Sequence, residues 1–350
     1  MQSFERPRIL TGHRTTGPRH IGHLAGTLTN WTALQDSYEC FFLLADLHVL
    51  TTDFEHTGGI RSNTLEVLTD WLAAGIDPQR STIILQSAVP EHAQLSLLLS
   101  MLVTEARLHR VPTYKEQINN LHIQPSLGLL TYPVLQAADI LLYKAQAVPV
   151  GEDQLPHIEL TREIARRYNQ LYGQTFAEPD ALLSNTPRLP GLDNRTMHSS
   201  YGNTILLRDT PEETQRKIMS MYTDPARIHA SDPGHIKNNP LFTYLDLYYP
   251  HPNELAEMKT RYRAGTIGDV ELKQILAASL NAYLKPIREK RAELAPQTSY
   301  LRDILLQGSQ RARHIARETL EEVLDAMGLS LGLSMRSEQS TQTIPSGAFC

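Results

Sequence analysis

Thr11-Gly12-His13-Arg14-Thr15-Thr16-Gly17-Pro18-Arg19-His20-Ile21-Gly22-His23-Leu24-Ala25-Gly26-Thr27-Leu28-Thr29-Asn30-Trp31 is the stretch on which the fold turns. Before it, Arg8-Ile9-Leu10 reads as a buried strand. Within and after it, Ile21, Leu24, Leu28, Trp31 and Leu34 keep helical spacing, so the segment is a strand, a loop and a helix start. His20 and His23, with Gly22 between them, sit where a new helix exposes unpaired backbone N–H groups and the positive end of its dipole. Such an end suits a phosphate. Gly12, Gly17 and Gly22 permit close backbone approach, and imidazoles can donate hydrogen bonds to phosphoryl oxygens as charge moves. The competing reading is a pair of ordinary helix-end histidines.

Working outward, Cys40-Phe41-Phe42-Leu43-Leu44-Ala45 is a near-continuous apolar run, as in a strand buried on both faces of a parallel sheet. It ends in Asp46-Leu47-His48, a polar cluster where open α/β sheets place ligands; His48 reads equally as a hydrogen-bonded structural histidine. Residues 60–74 read as a helix stopped by Gly75-Ile76-Asp77-Pro78, residues 81–86 as a strand and residues 91–103 as a helix. The alternation implies right-handed crossovers and a doubly wound parallel sheet. Between Pro112 and Pro125 the periodicity weakens and the chain reads as an excursion from the sheet. Farther on, a helix beginning near Pro133 would place Tyr132, Gln136, Asp139 and Tyr143 on one face. Asp139 then lies among apolar neighbours and requires a partner, either a ligand N–H or an internal cation.

The 350 residues exceed the usual size of a single core, so two domains are expected. With 41% hydrophobic and 20% charged residues the composition is that of a globular chain. Two cysteines, Cys40 and Cys350, support neither a zinc site nor a disulfide framework. The sequence carries neither a signal segment nor a run of about 20 apolar residues. A soluble cytoplasmic protein, away from membranes and without a protein-bound metal, is the expectation. The net charge of −5 is uneven: residues 259–317 hold 12 Lys and Arg against 5 Asp and Glu. A localised basic face suits one folded RNA; salt-bridged surface helices are the other reading.

His20-Ile21-Gly22-His23 resembles the HIGH signature of class I aminoacyl-tRNA synthetases. The block Ala147-Val148-Pro149-Val150-Gly151-Glu152-Asp153-Gln154, followed by His157 and Glu159-Leu160-Thr161-Arg162, is similar to that of the tryptophanyl branch. The resemblance spans about residues 6–329. It implies an α/β, Rossmann-like nucleotide-binding domain (1–190) with a connective and dimer-forming insertion around 105–170. A signature loop at 191–208 and a C-terminal α-helical tRNA-binding domain at 209–329 would follow, while residues 330–350, rich in Ser, Thr, Gln and Gly without a periodic apolar face, read from composition as a disordered tail. It further implies that Asp139 accepts the indole N–H, that Tyr132 and Gln154 hold the ammonium, and that Val148 and Val150 wall the ring. Leu10, Gly12, His48 and Gln136 complete the tryptophan site. ATP would meet Arg14, Thr15, Thr16, Gly22, His23, Gly151, Glu152, Asp153 and Leu189. Gln136 stands where several relatives carry an apolar residue, so a ring-substituted tryptophan is a further candidate substrate.

The second signature departs from the resembled pattern. Gly191-Leu192-Asp193 and Ser200-Tyr201-Gly202-Asn203-Thr204-Ile205 frame the place of a mobile K-M-S-K-S loop, but its two lysines correspond to Thr196 and Ser199, and His198 stands at its first serine. Fixed cations there would stabilise charge moving toward pyrophosphate. Arg195 and His198 are the substitutes at hand, with Met197 and Ser200 completing the ATP-facing loop and Mg²⁺ on the triphosphate sharing the burden. The implied activity joins L-tryptophan to tRNA(Trp) at the expense of ATP, in a homodimer. The alternative is a catalytically weakened relative that holds tryptophan, ATP or a protein partner. In the basic helices, Arg288, Arg291, Arg311 and Arg313 are the expected phosphate contacts.

Overall fold

The apolar runs flanking the quoted stretch become the middle of a parallel sheet. The computed structural model describes residues 6–121, 124–183, 189–197, 201–225, 227, 229 and 231–330. Its strands are β1 (Arg8–Arg14), β2 (Glu39–Ala45), β3 (Ser81–Leu85), β4 (Ala147–Val150) and β5 (Asp180–Leu183), all parallel, in the order β3-β2-β1-β4-β5. The helices in chain order are α1 (Ile21–His23), which passes through a π-helical turn at Leu24–Leu28 into α2 (Thr29–Leu34), α3 (Leu47–Asp53), α4 (Ile60–Ala73), α5 (Glu91–Ser100), α6 (Glu105–Leu108) and α7 (Pro112–Leu121). They continue as α8 (Leu127–Leu142), α9 (Leu155–Tyr172), α10 (Pro211–Met219), α11 (Pro240–Tyr248), α12 (Pro252–Arg263), α13 (Asp269–Leu294) and α14 (Thr298–Ala326).

Alternate strand residues feed two cores, as the two-residue period of a strand requires. Ile9, Cys40, Phe42, Leu44 and Ile83 pack with the first helix, α4, α11 and α13. Leu10, Phe41, Leu43 and Ile84 pack with α5, α8, α9 and α14. This is the expected doubly wound arrangement. Strand order reverses between β1 and β4, so the ligand crevice of such a sheet lies beyond their carboxyl ends.

Three details differ from the sequence reading. β1 continues past Leu10 to Arg14 because Gly12 leaves room for the Leu43 carbonyl of β2, into which a Cβ would collide. Helix α8 starts at Leu127 rather than near Pro133, because Ser126 Oγ caps it by accepting the Leu129 N–H at 3.1 Å. Pro133 is buried inside that helix and withholds one backbone donor. The stretch read as an excursion is α7. Pro286 lies inside α13 without ending it.

The C-terminal helices are packed into the sheet's cores. Gly308 of α14 brings its backbone against the Ile83 carbonyl, and Ser309 Oγ accepts the Leu85 N–H at 3.1 Å. α14 therefore satisfies and covers β3, whose open edge would otherwise offer unpaired backbone groups.

Candidate active site

The switch point brings the two signature segments together. His20 forms an antiparallel bridge with Leu206: the Ile21 N–H donates to the Ile205 carbonyl at 2.9 Å, and the Leu207 N–H donates to the Arg19 carbonyl at 2.9 Å. The His20 N–H donates to His23 Nδ1 at 3.3 Å, and the two rings lie 3.8 Å apart. A Cβ on Gly22 would stand 2.8 Å from Met197 Sδ, so Gly22 opens the space that Met197 fills. Thr196 accepts a hydrogen bond from Asn203 at its carbonyl, 3.0 Å away, and Leu189 is buried in the core beside Met197. His198, Ser199 and Ser200 lie outside the described residues.

His13, which sequence reasoning did not single out, fixes this helix start from behind. Trp71 Nε1–H donates to His13 Nδ1 at 3.1 Å, so the ring proton belongs on Nε2, which faces Thr27 Oγ1 at 3.2 Å. Thr27, in the π-helical turn, donates in turn to the His23 carbonyl at 2.7 Å. Burial and the neighbouring Arg19 and His20 hold the His13 pKa well below its usual value. The imidazole is therefore neutral, which this donor order requires.

Asp139 is 2% exposed and holds three donors. His92 Nδ1 approaches one carboxylate oxygen at 2.6 Å and His48 Nε2 the other at 2.8 Å, while Gln86 Nε2 lies 2.9 Å from both. His92 Nε2 lies 2.8 Å from the Tyr143 hydroxyl, which burial keeps protonated. Burial alone would raise the Asp139 pKa; His92 and His48 outweigh it and hold the acid down to about 2. An ionised carboxylate offers about four lone-pair sites, and all four are met here: His92 and Gln86 on Oδ1, His48 and the same Gln86 nitrogen on Oδ2. The required partner is thus histidine and glutamine rather than a salt-bridging Arg or Lys. Gln86 and His92 escaped the sequence reading because their meeting with Asp139 depends on tertiary folding.

Around this carboxylate, Tyr132 and Gln136 project from the same helix. The Tyr132 hydroxyl meets Thr113 Oγ1 at 2.5 Å and His157 Nε2 at 3.3 Å, and Gln136 Nε2 lies 3.5 Å from Gln154 Oε1. Burial lowers the His157 pKa to about 4 and keeps that ring neutral. Val148 is buried and Val150 half-buried on β4, whose end runs into Gly151 and the turn Glu152–Gln154. Gln154 Nε2 donates to Asp153 at 2.9 Å. Thr11 Oγ1 donates to the Pro149 carbonyl at 2.9 Å and ties β1 to that segment. Leu10 is buried in β1. Arg14 leans on α3, donating to the Val49 carbonyl at 3.3 Å and to Thr52. Thr15 is buried with its hydroxyl unmatched, and Thr16 is exposed.

Charges farther out correct two expectations. Arg195 is ion-paired with Asp193 at 2.6 Å and lies over the Tyr201 ring, 5.4 Å from its centre. Its charge is therefore partly neutralised by its own loop. Four of the 12 cations in the basic window are paired with acids outside it. Arg291 is 7% exposed and bound to Asp70 and Glu66, Arg313 and Arg317 share Glu91, and Lys259 pairs with Asp246. Arg288 donates to Asn281 at 2.7 Å and Thr214 at 2.6 Å. Arg291, Arg313 and Arg288 are thus engaged within the fold, while Arg311 is exposed and makes a single long contact to the Pro78 carbonyl at 3.4 Å.

The parallel doubly wound sheet carries a histidine-bearing helix start after its first strand and a buried carboxylate on α8, and its class is that of the class I synthetases. The chain belongs to the family of tRNA synthetases class I (W and Y), whose model matches residues 2–285. It is 49% identical over 328 residues to the tryptophan–tRNA ligase of Treponema pallidum, covering 92% of this chain and 97% of that protein. It is 46% identical over 325 residues to the ligase of Thermotoga maritima, covering 92% and 99%. Among solved structures, the tryptophanyl-tRNA synthetase of Campylobacter jejuni complexed with ADP and tryptophan superposes with a TM-score of 0.83 at 34% identity, covering 92% of this chain and 100% of that one.

Proposed function

We infer that the chain is a tryptophan–tRNA ligase: it activates L-tryptophan with ATP to the aminoacyl-adenylate, releases pyrophosphate, then transfers the amino acid to tRNA(Trp) and releases AMP. The observation that carries this reading is near full-length identity to curated tryptophan–tRNA ligases, together with a buried, ionised carboxylate whose Gln86 donor is shared between both oxygens and can yield one of them to a ligand N–H. The weakened-relative reading is not favoured, since that identity runs over almost the whole chain. In the reaction, the tryptophan carboxylate attacks the α-phosphorus and the bond to pyrophosphate breaks, with no enzyme nucleophile. Catalysis is then positional and electrostatic.

Within that reading, Asp139 takes the indole N–H as its fourth donor, Tyr132 and Gln154 face the ammonium, and Val148 and Val150 flank the ring, with Leu10, Gly12, His48 and Gln136 around them. His20 and His23 grip the triphosphate, while Arg14, Thr15, Thr16, Gly22, Leu189 and Gly151 to Asp153 border the nucleotide. Mg²⁺ arrives on the triphosphate as part of the substrate. Arg195 and the loop Thr196, Met197, His198, Ser199 and Ser200 approach the leaving group. Among the described residues no group of three or more His, Cys, Asp or Glu is placed to hold a metal ion, and no helix is long and apolar enough to cross a membrane. A cytoplasmic site of action belongs to the same reading.

A homodimer through the face around residues 105–170 would cover the exposed Leu127, and Leu97 and Met101 on the neighbouring α5. Incubation with ATP, tRNA and each amino acid in turn tests the function: tryptophanyl-tRNA alone should accumulate, and charging with another amino acid or none would refute it. Sedimentation at micromolar concentration should give twice the mass of 39.4 kDa.

A further inference from the structure

The structure places one buried carboxylate behind the His20 to His23 helix start that the substrate scheme leaves unused. Asp70, on α4, is 0% exposed. Its Oδ2 accepts the Arg19 backbone N–H at 2.6 Å, and its Oδ1 accepts from the Arg291 guanidinium on α13. Arg291 reaches on to Glu66 Oε2 at 2.5 Å, one helical turn before Asp70, and Arg208 approaches the same oxygen at 3.5 Å. On the other side of Arg19, the guanidinium folds back to the Gly17 carbonyl at 3.1 Å, and the Arg19 carbonyl accepts the Leu207 N–H at 2.9 Å. Every backbone polar group of Arg19 is therefore pinned: the N–H by Asp70, the carbonyl by Leu207, beside the isolated His20–Leu206 bridge. The next residue is His20.

We propose that Asp70, held by Arg291, is a positioning residue for ATP: it sets the backbone entering the His20 to His23 helix start, so that the C-terminal helix α13 helps fix the nucleotide end of the site. The inference rests on the reading that this helix start grips the triphosphate. The mechanism is mechanical. A charged acceptor in a buried site makes a stronger and more directional bond to a backbone N–H than an amide would, and Arg291 supplies the countercharge that lets it stay ionised. Burial pushes the Asp70 pKa up to about 6, with Arg291 and Arg19 holding it down and Glu66 working against them. The groups facing it are thus Glu66 from its own helix, Arg19 from the loop and Arg291 from α13, with Arg208 behind Glu66.

Asp70→Asn tests this in tryptophan-dependent pyrophosphate exchange by the full-length protein. The expected result is a loss of about tenfold in kcat/KM for ATP, a KM for tryptophan within about twofold of wild type, and disappearance of an acid limb near pH 6 from the wild-type ATP profile. Where Asp70→Asn does not fold, Arg291→Met is read the same way. Unchanged ATP parameters, or equal losses for ATP and tryptophan tracking a lower Tm, would overturn the proposal. His23→Asn in the same assay separates the two levels. If it also leaves ATP kinetics intact, the triphosphate reading fails; if it alone impairs them, only the role of Asp70 fails.

Discussion

At the scale of single residues, the site is organised by donors whose direction is fixed by the group behind them. Trp71 sets the His13 proton, and His13 with Thr27 sets the carbonyl of His23. Gln136 sits 3.5 Å from Gln154, so under the proposed function an amide borders the ring. Gln136→Leu should therefore lower kcat/KM for a ring-hydroxylated tryptophan relative to tryptophan by about tenfold, the worth of one hydrogen bond of about 1 kcal/mol or slightly more. An unchanged ratio would remove Gln136 from substrate choice. His157 makes a pH prediction. Its folded pKa of about 4 lies below the ordinary 6.5, so the unfolded chain binds the extra proton between these values. Its contribution to stability is complete above about pH 6.5 and is lost as pH falls toward 4. Melting curves of His157→Gln across this range should show a shallower decline than wild type; parallel curves would contradict it.

The sequence revealed the members of this site more readily than their partners. Asp139 stood out as a carboxylate in an apolar face, and its need for a partner followed from desolvation alone. Gln86 and His92 come from a turn and a helix 53 and 47 residues away, and nothing in their local pattern distinguished them from surface residues.

At the scale of elements, the apolar runs of β1, β2 and β3 were legible because local pattern and burial agree there, and α10 opens on a reciprocal cap. Thr210 accepts the Glu213 N–H at 3.2 Å and Glu213 returns a bond to the Thr210 N–H at 2.9 Å. The start of α8 was missed because the Ser126 cap outweighs the proline signal, and α7 because its periodicity is weak over ten residues. The contact of α14 with β3 depends on a close approach that only the folded chain reveals. Gly308→Ala should force α14 away from the Ile83 carbonyl and destabilise the protein by about 1–3 kcal/mol, the usual range for overpacking. Denaturant titration measures this, and an unchanged midpoint would show that the helix shifts freely.

For the whole molecule, the surplus of positive charge in residues 259–317 suggested an RNA face, but the fold spends part of it internally. Arg291 on Asp70 and Glu66, and Arg313 and Arg317 on Glu91, join the C-terminal helices to the sheet domain. Charge counts along the chain cannot anticipate such pairing, because the acids lie more than 200 residues away. tRNA affinity measured against salt should thus lose about one unit of log–log slope in Arg311→Gln and none in Arg313→Gln. The reverse order would place the RNA on the Glu91 side of α14.

The proposed function turns on the Asp139 carboxylate receiving the indole N–H in place of one arm of the shared Gln86 amide. The most direct measurement is pyrophosphate exchange by wild type and Asp139→Asn with tryptophan and with its isostere bearing sulfur in place of the indole N–H. Wild type should favour tryptophan by at least about 30-fold, the worth of a charged hydrogen bond of about 2 kcal/mol or more, and Asp139→Asn should lose most of that preference. Equal use of both amino acids by wild type, or an undiminished preference in Asp139→Asn, would contradict it.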